Sequence, residues 1–234
     1  MKVMILAAGV GERMRPLTGH TPKPLLTVGG IPLIEHHISN LAQAGFTDLV
    51  INVSHLAQQI IDYCGDGSHW GVSIVYSPED EPLETAGGIF NALPLLGDEP
   101  FLVVNGDVWI DYPYERLATC RPAHPEGAHL IMVGNPAQHP QGDFALDEGG
   151  WIRELAPGAT GLTYAGVGIY APAFFGGMQP GKMPLRPLLD AAIRAGCLSG
   201  EFHADSWEDV GTPERLRALD EVVRAARVSR DISR

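Results

Sequence analysis

The sequence predicts an α/β fold with helices on both faces of a mixed, mostly parallel central sheet. Short apolar runs alternate with segments of helical periodicity through the first half of the chain, in the order β-α-β-α-β-α-β. This alternation is typical of parallel strands joined by right-handed crossover helices. The first of these runs is continuously apolar, which suits a central strand covered on both faces, and we expect a three-layer α/β/α arrangement.

The first half of the chain supplies four predicted strands and three predicted helices. The first strand, at 4–8, is an apolar run that ends in glycines. Pro32 marks the start of the first helix, whose apolar residues recur at helical spacing as far as Gly45. The remaining strands are predicted at 49–53, 72–76 and 101–105, and the remaining helices at 58–63 and 85–93.

Beyond residue 107 the pattern is less regular and predicts an extension of the sheet. Short strands are expected at 130–133, 143–146 and 151–155, with Glu148-Gly149-Gly150 as a hairpin turn between the last two. The prediction is completed by a strand at 164–170, a helix at 185–195 and a C-terminal helix at 213–226 that starts at Thr212 or Pro213. Because the chain has no internal repeat or long linker, residues 1–234 are expected to form one domain.

The charge of the chain argues against nucleic acid as a partner and predicts a local anion site. The 234 residues include 28 acidic and 16 basic side chains, for a net charge of −12. Such a charge repels a phosphate polymer. Residues 1–25 are the exception, because they hold Lys2, Arg13, Arg15 and Lys23 against Glu12 alone.

Apolar runs and cysteines predict a cytoplasmic protein without a membrane partner. No apolar run approaches the roughly 18 residues of a membrane helix, and the first run is too short for a secretion signal. Cys64, Cys120 and Cys197 are widely spaced and outside any metal-ligand pattern. They are therefore expected to be reduced thiols rather than disulfide partners or zinc ligands.

The segment after the first strand has the features of an anion site. Ligands of open α/β sheets bind beyond the carboxyl ends of the strands. The segment reads Leu6-Ala-Ala-Gly-Val-Gly-Glu-Arg-Met-Arg-Pro-Leu-Thr18 and continues with Pro22-Lys-Pro-Leu25. Its small residues allow backbone N–H groups to approach an anion, and Arg13 and Lys23 add positive charge, so we expect a nucleoside triphosphate. A dinucleotide-binding fingerprint needs glycine where Met14 stands, and a Walker loop is absent from the sequence.

Residues 6–18 and 22–25 together resemble the signature of the sugar-1-phosphate nucleotidylyltransferases. The resemblance extends over nearly the whole chain. Residues 81–88 are similar to the family's base-side loop, 104–107 to its metal-binding strand end and 207–212 to its second metal segment. The resemblance implies a Rossmann-like, GT-A-like nucleotidyltransferase fold. It also implies that residues 1–110 bind the nucleotide and residues 111–234 the sugar.

The resemblance further implies roles for individual residues. Asp107 and Asp209 are expected to bind Mg²⁺, Arg13 to stabilise the departing pyrophosphate and Lys23 to contact the phosphates near the reacting centre. The expected nucleotide contacts are Ala8, Gly9, Gly11, Glu12, Arg13, Lys23, Glu84, Thr85, Ala86 and Gly87. The expected sugar contacts are Asn105, Asp143, Glu154 and Asp209.

Three of these residues have an alternative, structural interpretation. Thr85 is also a suitable N-cap residue for a helix. Asp143 could instead pair with a residue across the hairpin, and Glu154 could be a solvent-exposed strand residue. Both interpretations stay open for each of them at the level of sequence.

The chemistry of such a transfer explains why the sequence shows no nucleophile–base pair. A sugar 1-phosphate is mostly dianionic at pH 7, since its second pKa is about 6, and is already a nucleophile. Attack on the α-phosphorus of a nucleoside triphosphate then needs two polyanions held in line and their charge neutralised. Mg²⁺ suits this role because it takes one or two carboxylates together with substrate phosphates.

Details within the family are similar to its members that join UTP to N-acetylmuramate α-1-phosphate in cell-wall recycling. These details are Gly65-Asp-Gly67, Glu84-Thr85 and Gln141-Gly-Asp-Phe144. Many relatives have glycine in place of Glu84, which leaves the nucleotide open. Transfer of guanylyl to mannose 1-phosphate, transfer of thymidylyl or uridylyl to glucose 1-phosphate, and a non-catalytic nucleotide-sugar sensor are the alternatives.

The partners expected from this resemblance are small molecules, UTP and a sugar 1-phosphate, bound by a monomer or a small homo-oligomer. The lactyl carboxylate of N-acetylmuramate requires a donor or a cation, and the sequence alone assigns none.

Overall fold

The computed structural model describes residues 1–232, with side chains as far as residue 226. Residues 233 and 234, which the single-domain prediction includes, lie outside the described residues. The strands are β1 (Val3–Leu6), β2 (Thr27–Val28), β3 (Ile31–Pro32), β4 (Asp48–Val53), β5 (Ser73–Pro78), β6 (Phe101–Asn105), β7 (Val108–Ile110), β8 (Ala128–Val133), β9 (Ala145–Leu146), β10 (Ile152–Arg153), β11 (Thr163–Tyr170), β12 (Leu198–His203) and β13 (Trp207–Asp209). The α-helices are α1 (Leu33–Gln43), α2 (Ala57–Cys64), α3 (Glu84–Leu96), α4 (Arg186–Arg194) and α5 (Pro213–Ile232).

The central sheet has seven strands in the order β12-β8-β11-β6-β1-β4-β5. Strands β5, β4, β1 and β6 are parallel to one another, as the alternating first half of the sequence predicts. Strand β11 runs antiparallel to both of its neighbours, and β12 is parallel to β8. The prediction of a mixed, mostly parallel sheet is therefore confirmed.

Strand β1 shows how the sheet divides the interior into two cores. Val3 and Ile5 pack into the core that holds α1 and α2, while Met4 packs into the core that holds α3 and α4. Successive side chains of a strand point to opposite faces, so an all-apolar strand serves both cores. The helices therefore form two outer layers, and the predicted three-layer arrangement is confirmed.

The residues predicted as two short strands at 143–146 and 151–155 do not join the central sheet. They form the separate hairpin of β9 and β10, which meets the sheet edge through a bridge between Trp151 and Ser199. The Asp147 carboxylate accepts hydrogen bonds from the backbone N–H groups of Gly149 and Trp151, at 2.9 Å each. These bonds fold the chain back sharply, so the strands stay short.

Three strands that line or flank the ligand end of the sheet are not apparent from the sequence. Edge strand β12 carries Ser199, Gly200 and Glu201 in its middle, so it lacks the apolar run of a central strand. The three-residue strands β7 and β13 pair only with each other. Helix α3 also extends through Pro94 to Leu96, because Gly97 rather than the proline ends it.

Helix α5 and the segment after β1 form a third, smaller core. Leu216, Leu219 and Val223 pack against Met14 and Val28. The helix begins as predicted, since the Thr212 hydroxyl accepts a hydrogen bond from the backbone N–H of Arg215 at 3.3 Å. None of the helices within residues 1–232 combines the length and the hydropathy that a membrane crossing requires.

The buried side chain of His37 links α1 to β7. Its Nε2 lies 2.9 Å from the Val108 carbonyl oxygen. Burial is the main cause that lowers the pKa of His37 from 6.5 to about 4, so the imidazole is neutral and Nε2–H donates this bond at neutral pH. An unfolded chain binds this proton near pH 6.5, whereas the folded chain binds it only near pH 4.

We predict that His37 makes the fold less stable as the pH falls from 6.5 towards 4. The contribution of this one residue reaches up to about 3 kcal/mol at the acid end of that window. His37→Gln retains an N–H donor without the titration, so its unfolding free energy should vary less between pH 7 and 4.5 in urea titrations. His20→Gln, at an exposed site, is the matched control. The same pH dependence in wild type and His37→Gln would contradict the assignment.

Candidate active site

Two adjoining cavities, each of about 410 Å³, lie at the carboxyl ends of the parallel strands. The first is lined by the loop after β1, the start of α3 and the end of β6. The second is lined mainly by residues from β11, the start of α4 and the segment around Asp143. Glu84, Thr85 and Asn105 line both cavities and mark the boundary between them. This is the place where open α/β sheets bind ligands.

The structure brings most of the predicted site residues together. The first cavity contains eight of the predicted nucleotide contacts, Ala8, Gly9, Gly11, Glu12, Arg13, Lys23, Glu84 and Thr85, and the predicted metal ligand Asp107. The second contains Asn105 and Asp143. Four predicted residues are not among the described residues that line either cavity, namely Ala86, Gly87, Glu154 and Asp209.

The loop after β1 is held in place by side chains from other segments. The Asn52 side-chain oxygen accepts a hydrogen bond from the backbone N–H of Ala7 at 2.7 Å, and the Thr18 hydroxyl donates to the Gly11 carbonyl at 2.8 Å. Gly11 has a φ of +68°, and a Cβ at this position would lie 2.9 Å from a Thr18 methyl carbon. Glycine is therefore required by both the backbone conformation and the packing.

Lys23 and Asp107 form an ion pair at the floor of the first cavity. Lys23 is only 7% exposed, and its Nζ lies 2.6 Å from Asp107 Oδ2. A buried ammonium is unfavourable without a counter-charge, and Asp107 supplies one. Asp107 reaches this position because Gly106 allows β6 to approach β1 closely: a Cβ at Gly106 would lie 2.6 Å from the Leu6 carbonyl oxygen.

Asp209 lies on a segment that is paired with Asp107. Strand β13 is antiparallel to β7, and the backbone N–H of Val210 donates to the Asp107 carbonyl at 3.0 Å. The Asp209 carboxylate itself is bound by Arg215, with Nη1 2.7 Å from Oδ2. Asp107 and Asp209 thus lie on paired segments, and each carboxylate has its own cationic partner.

This pair of carboxylates fits a hard cation that also takes oxygens from a substrate. The part of the chain that the structure describes holds no cluster of three or more His, Cys, Asp or Glu side chains suited to a metal. A structural zinc site needs about four such ligands, whereas Mg²⁺ is bound through one or two carboxylates and substrate phosphates. Asp107 and Asp209 therefore suit a phosphate-assisted Mg²⁺ site.

Ala86 and Gly87 bind a protein loop in this structure. Their backbone N–H groups donate to the Met183 carbonyl at 3.0 and 3.1 Å. A Cβ at Gly87 would lie 2.4 Å from the Gly181 carbonyl oxygen, so the close approach of this loop accounts for the glycine. Thr85 is not the N-cap of α3, because the helix begins at Glu84 and Leu83 occupies the N-cap position. The alternative interpretation of Thr85 as a cap is therefore wrong.

Glu84 adopts a left-handed backbone conformation, with a φ of +60°. This conformation is unfavourable for residues other than glycine. The Glu84 carboxylate faces Lys182, with Nζ 3.7 Å from Oε1, and both side chains are partly exposed. Because Glu84 lines both cavities, the strained residue lies where the two ligands would meet.

A β-bulge in β11 supports Asn105 at the boundary of the two cavities. The register of β11 and β8 shifts between Tyr164 and Gly168, and Gly166 within this bulge has a φ of +76°. A Cβ at Gly166 would lie 2.7 Å from Asn105 Nδ2. The bulge thus leaves just enough room for the Asn105 amide.

Asp143 and Glu154 differ in their surroundings. Asp143 Oδ2 accepts a hydrogen bond from the backbone N–H of Tyr164 at 2.9 Å, and its Oδ1 lies 3.2 Å from His139 Nε2. Asp143 therefore binds β11, and it does not pair across the β9–β10 hairpin. Glu154 follows the last residue of β10, and its side chain is exposed. Its Oε1 lies 3.5 Å from Arg194 Nη1.

Sequence reasoning missed a buried polar pair beneath the first cavity. Asn52 Nδ2 donates to Glu79 Oε1 at 2.7 Å, and Glu79 Oε2 accepts the backbone N–H of Leu83 at 2.9 Å. Both side chains are buried and line the cavity. The pair connects the loop after β1 with the start of α3. The available signal was a polar residue within a buried strand, Asn52, and an acidic one just after the next strand.

We predict unequal effects of the two partners of the Lys23–Asp107 pair on stability. Asp107→Asn leaves the buried ammonium beside a neutral amide and should lower the unfolding free energy by about 1–3 kcal/mol in urea titrations. Lys23→Met removes the buried charge and leaves a partly exposed carboxylate, so its loss should be smaller. The double variant should recover most of the Asp107→Asn loss. Equal losses in the two single variants would contradict this account.

The conformation of Glu84 generates a second prediction. Glu84→Gly and Glu84→Ala both remove the carboxylate, but only glycine is relaxed at a φ of +60°. The glycine variant should therefore be more stable than the alanine variant by about 1 kcal/mol, measured by thermal or chemical unfolding. An alanine variant as stable as the glycine variant would show that this backbone is not strained.

Three curated relatives each match more than nine-tenths of the chain. An N-acetylmuramate alpha-1-phosphate uridylyltransferase from Neisseria meningitidis serogroup B is 52% identical over 221 residues, which are 93% of this chain and 96% of that protein. The same enzyme from Caulobacter vibrioides is 34% identical over 93% and 94% of the two chains. A mannose-1-phosphate guanyltransferase from Aspergillus oryzae is 32% identical over 92% of this chain and 62% of its own length.

Solved structures share the fold, and the family itself is recognised in the sequence. A structure described as a glucose-1-phosphate thymidylyltransferase from Bacillus anthracis in complex with sucrose matches 96% of this chain and 95% of that chain, with a TM-score of 0.83 and 22% identity. HddC from Yersinia pseudotuberculosis, complexed with GMP-PN, matches 94% of this chain and 98% of that chain, with a TM-score of 0.77 and 23% identity. Residues 2–171 match the nucleotidyl transferase family, and the chain therefore belongs to that family.

Proposed function

We propose that this chain transfers a uridylyl group from UTP to N-acetylmuramate α-1-phosphate, releasing pyrophosphate and forming UDP-N-acetylmuramate for cell-wall recycling. The observation that carries the proposal is 52% identity over almost the full length of both chains to an enzyme named for this reaction. Two adjoining cavities with a shared boundary fit a reaction between two bound substrates. The guanyltransferase relatives are longer and less similar.

We place the nucleotide in the first cavity. The small residues Ala8, Gly9 and Gly11 leave the loop backbone open to the ribose and phosphates, and Glu12 lies at the edge of the same loop. Arg13 and Lys23 bring positive charge to the triphosphate. Uracil is assigned to the side of Glu84 and Thr85, where α3 begins.

The sugar phosphate belongs in the second cavity. Asn105 lies at the boundary, where its amide can bind both substrates, and Asp143 offers acceptor oxygens to the sugar from the opposite wall. Predicted roles for Ala86, Gly87 and Glu154 would require the chain to move, because Met183 and Arg194 are their partners here. The division into a nucleotide half and a sugar half agrees with this placement, except that Gly211 lines the first cavity and Glu84, Thr85 and Asn105 also line the second.

The reaction requires alignment and charge neutralisation from the protein. An oxygen of the sugar phosphate attacks the α-phosphorus of UTP, a bond forms to it, and the bond to the pyrophosphate oxygen breaks. Arg13 stabilises the charge that develops on pyrophosphate, and Lys23 neutralises phosphate oxygens near the reacting atom. The attacking phosphate is already dianionic, so no side chain has to remove a proton.

A divalent metal is general in this family, and we propose Mg²⁺ here. Asp107 and Asp209 would hold it, and when bound it supplies charge neutralisation to the triphosphate and the incoming phosphate. Lys23 and Arg215 are the partners of these carboxylates in the structure and hold both side chains in place.

We propose the cytoplasm as the location of the reaction. Cys64 and Cys197 are buried free thiols, and Cys120 is a third free thiol, which suits a reducing compartment. Nucleotide and sugar phosphate are the partners that the two cavities support.

Pyrophosphate release from the purified chain tests the proposal. UTP, GTP, dTTP and CTP are crossed with the α-1-phosphates of N-acetylmuramate, N-acetylglucosamine, glucose and mannose in the presence of Mg²⁺. UTP with N-acetylmuramate 1-phosphate is expected to have the highest kcat/KM. A higher value for GTP with mannose 1-phosphate would favour the guanylyltransferase alternative, and a folded chain inactive on every pair would favour a sensor.

We predict that the two proposed metal ligands are essential in this assay. Asp107→Ala and Asp209→Ala should each lower kcat/KM at least about 100-fold, since each removes a charge from the phosphate-binding centre. EDTA should abolish turnover, and excess Mg²⁺ should restore it. Asp98→Ala, at an exposed site before β6, is the matched control. Full activity in either active-site variant would remove that residue from the metal site.

A further inference from the structure

We infer that Arg186 determines sugar specificity by binding a carboxylate substituent of the sugar in the second cavity. This inference rests on the proposed function and names the residue that would recognise the lactyl group of N-acetylmuramate. Arg186 is the first residue of α4 and lines the second cavity but not the first, within the described residues.

Two contacts fix the guanidinium of Arg186. Its Cζ lies 4.5 Å from the centre of the Phe144 ring, which is itself buried, and its Nε donates a hydrogen bond to Asp190 Oδ1 at 2.7 Å. Stacking orients the plane of the group, and the bond to Asp190 uses the Nε edge. The terminal nitrogens remain to bind a carboxylate in the two-pronged manner for which arginine is suited.

The charges around the second cavity point to an anion beside Arg186. Among the described residues that line this cavity, Arg186 is the one cationic side chain. The acidic residues have other partners: Asp143 binds the Tyr164 backbone and His139, and Glu84 faces Lys182. The remaining walls are largely apolar, with Phe144, Pro184, Leu185 and Leu189 among them.

A lactyl ether matches this combination of one cation and apolar walls. It carries a carboxylate and a methyl group on the same carbon, so the guanidinium can bind the charge while the methyl group contacts apolar side chains. The triphosphate of UTP does not account for Arg186, because it is assigned to the first cavity with Arg13 and Lys23, and the phosphate of the sugar has to reach the α-phosphorus there. Hydroxyl and acetamido oxygens can accept hydrogen bonds from a guanidinium, but they bring no charge to pair with it.

A purely structural role for Arg186 would have different consequences. Its pair with Asp190 is an exposed helix contact four residues apart, and such pairs contribute little to stability. Loss of that pair would affect all sugars equally. Specific binding of a carboxylate instead changes only the reaction of the sugar that carries one.

The test compares Arg186→Gln with wild type on two sugars that differ by the lactyl ether, N-acetylmuramate and N-acetylglucosamine α-1-phosphates, both with UTP. We expect kcat/KM for the first to fall about 10- to 100-fold, mainly through KM, and that for the second to change less than about twofold. Arg186→Lys, which keeps the charge but not the planar fork, should show an intermediate loss. Arg217→Gln is the matched control, because it removes the exposed ion pair between Arg217 and Glu214 on α5.

Equilibrium binding of the two products gives a readout independent of turnover. UDP-N-acetylmuramate should bind Arg186→Gln about 10- to 100-fold more weakly than wild type in calorimetry, and UDP-N-acetylglucosamine equally well. Thermal unfolding and UTP affinity should match those of the control. If Arg186→Gln lowered kcat/KM and product affinity equally for both sugars, or lowered neither, the inference would be overturned. The proposed function would still stand as long as the wild-type enzyme is active on N-acetylmuramate 1-phosphate. A wild-type enzyme inactive on N-acetylmuramate 1-phosphate would overturn the proposed function itself.

Discussion

The ion pair between Lys23 and Asp107 joins the two segments that form most of the first cavity. Lys23 belongs to the loop after the first strand and Asp107 to the end of the fourth parallel strand, 84 residues later. A buried ammonium is tolerated only beside a negative charge, so the loop reaches its place when the sheet that presents Asp107 has formed. Gly106 and Gly11 serve the same constraint, because each permits a close approach that a side chain would prevent.

The segment from Gly181 to Arg186 contacts residues that line both cavities. Its Met183 carbonyl accepts the backbone N–H groups at the start of α3, and three residues later Arg186 stacks on Phe144 in the second cavity. Glu84 meets the same segment through Lys182. A shift of this one loop would therefore move residues that line both cavities.

The sequence was sufficient to predict the features that depend on residues close together in the chain. Strands β1 and β6 are almost wholly apolar because they are buried on both faces, and the glycine and proline pattern around Lys23 marks the loop after β1. Edge strand β12 escaped notice because polar residues occupy its middle. Ala86 and Gly87 lie in the predicted loop, but the partner that occupies their N–H groups is almost 100 residues away. Arg186 was missed for the same reason, since nothing near it in sequence indicates that Phe144 and the sugar cavity adjoin it.

Helix α5 covers the loop after β1, although it lies almost 200 residues later in the chain. Leu216, Leu219 and Val223 cover Met14, Leu26 and Val28, and Asp220 accepts the backbone N–H of Gly29 at 2.7 Å. Translation proceeds from the amino end, so the loop leaves the ribosome well before its apolar cover, which is the last of the described elements to follow. A nascent chain therefore exposes this apolar patch until α5 has been synthesised.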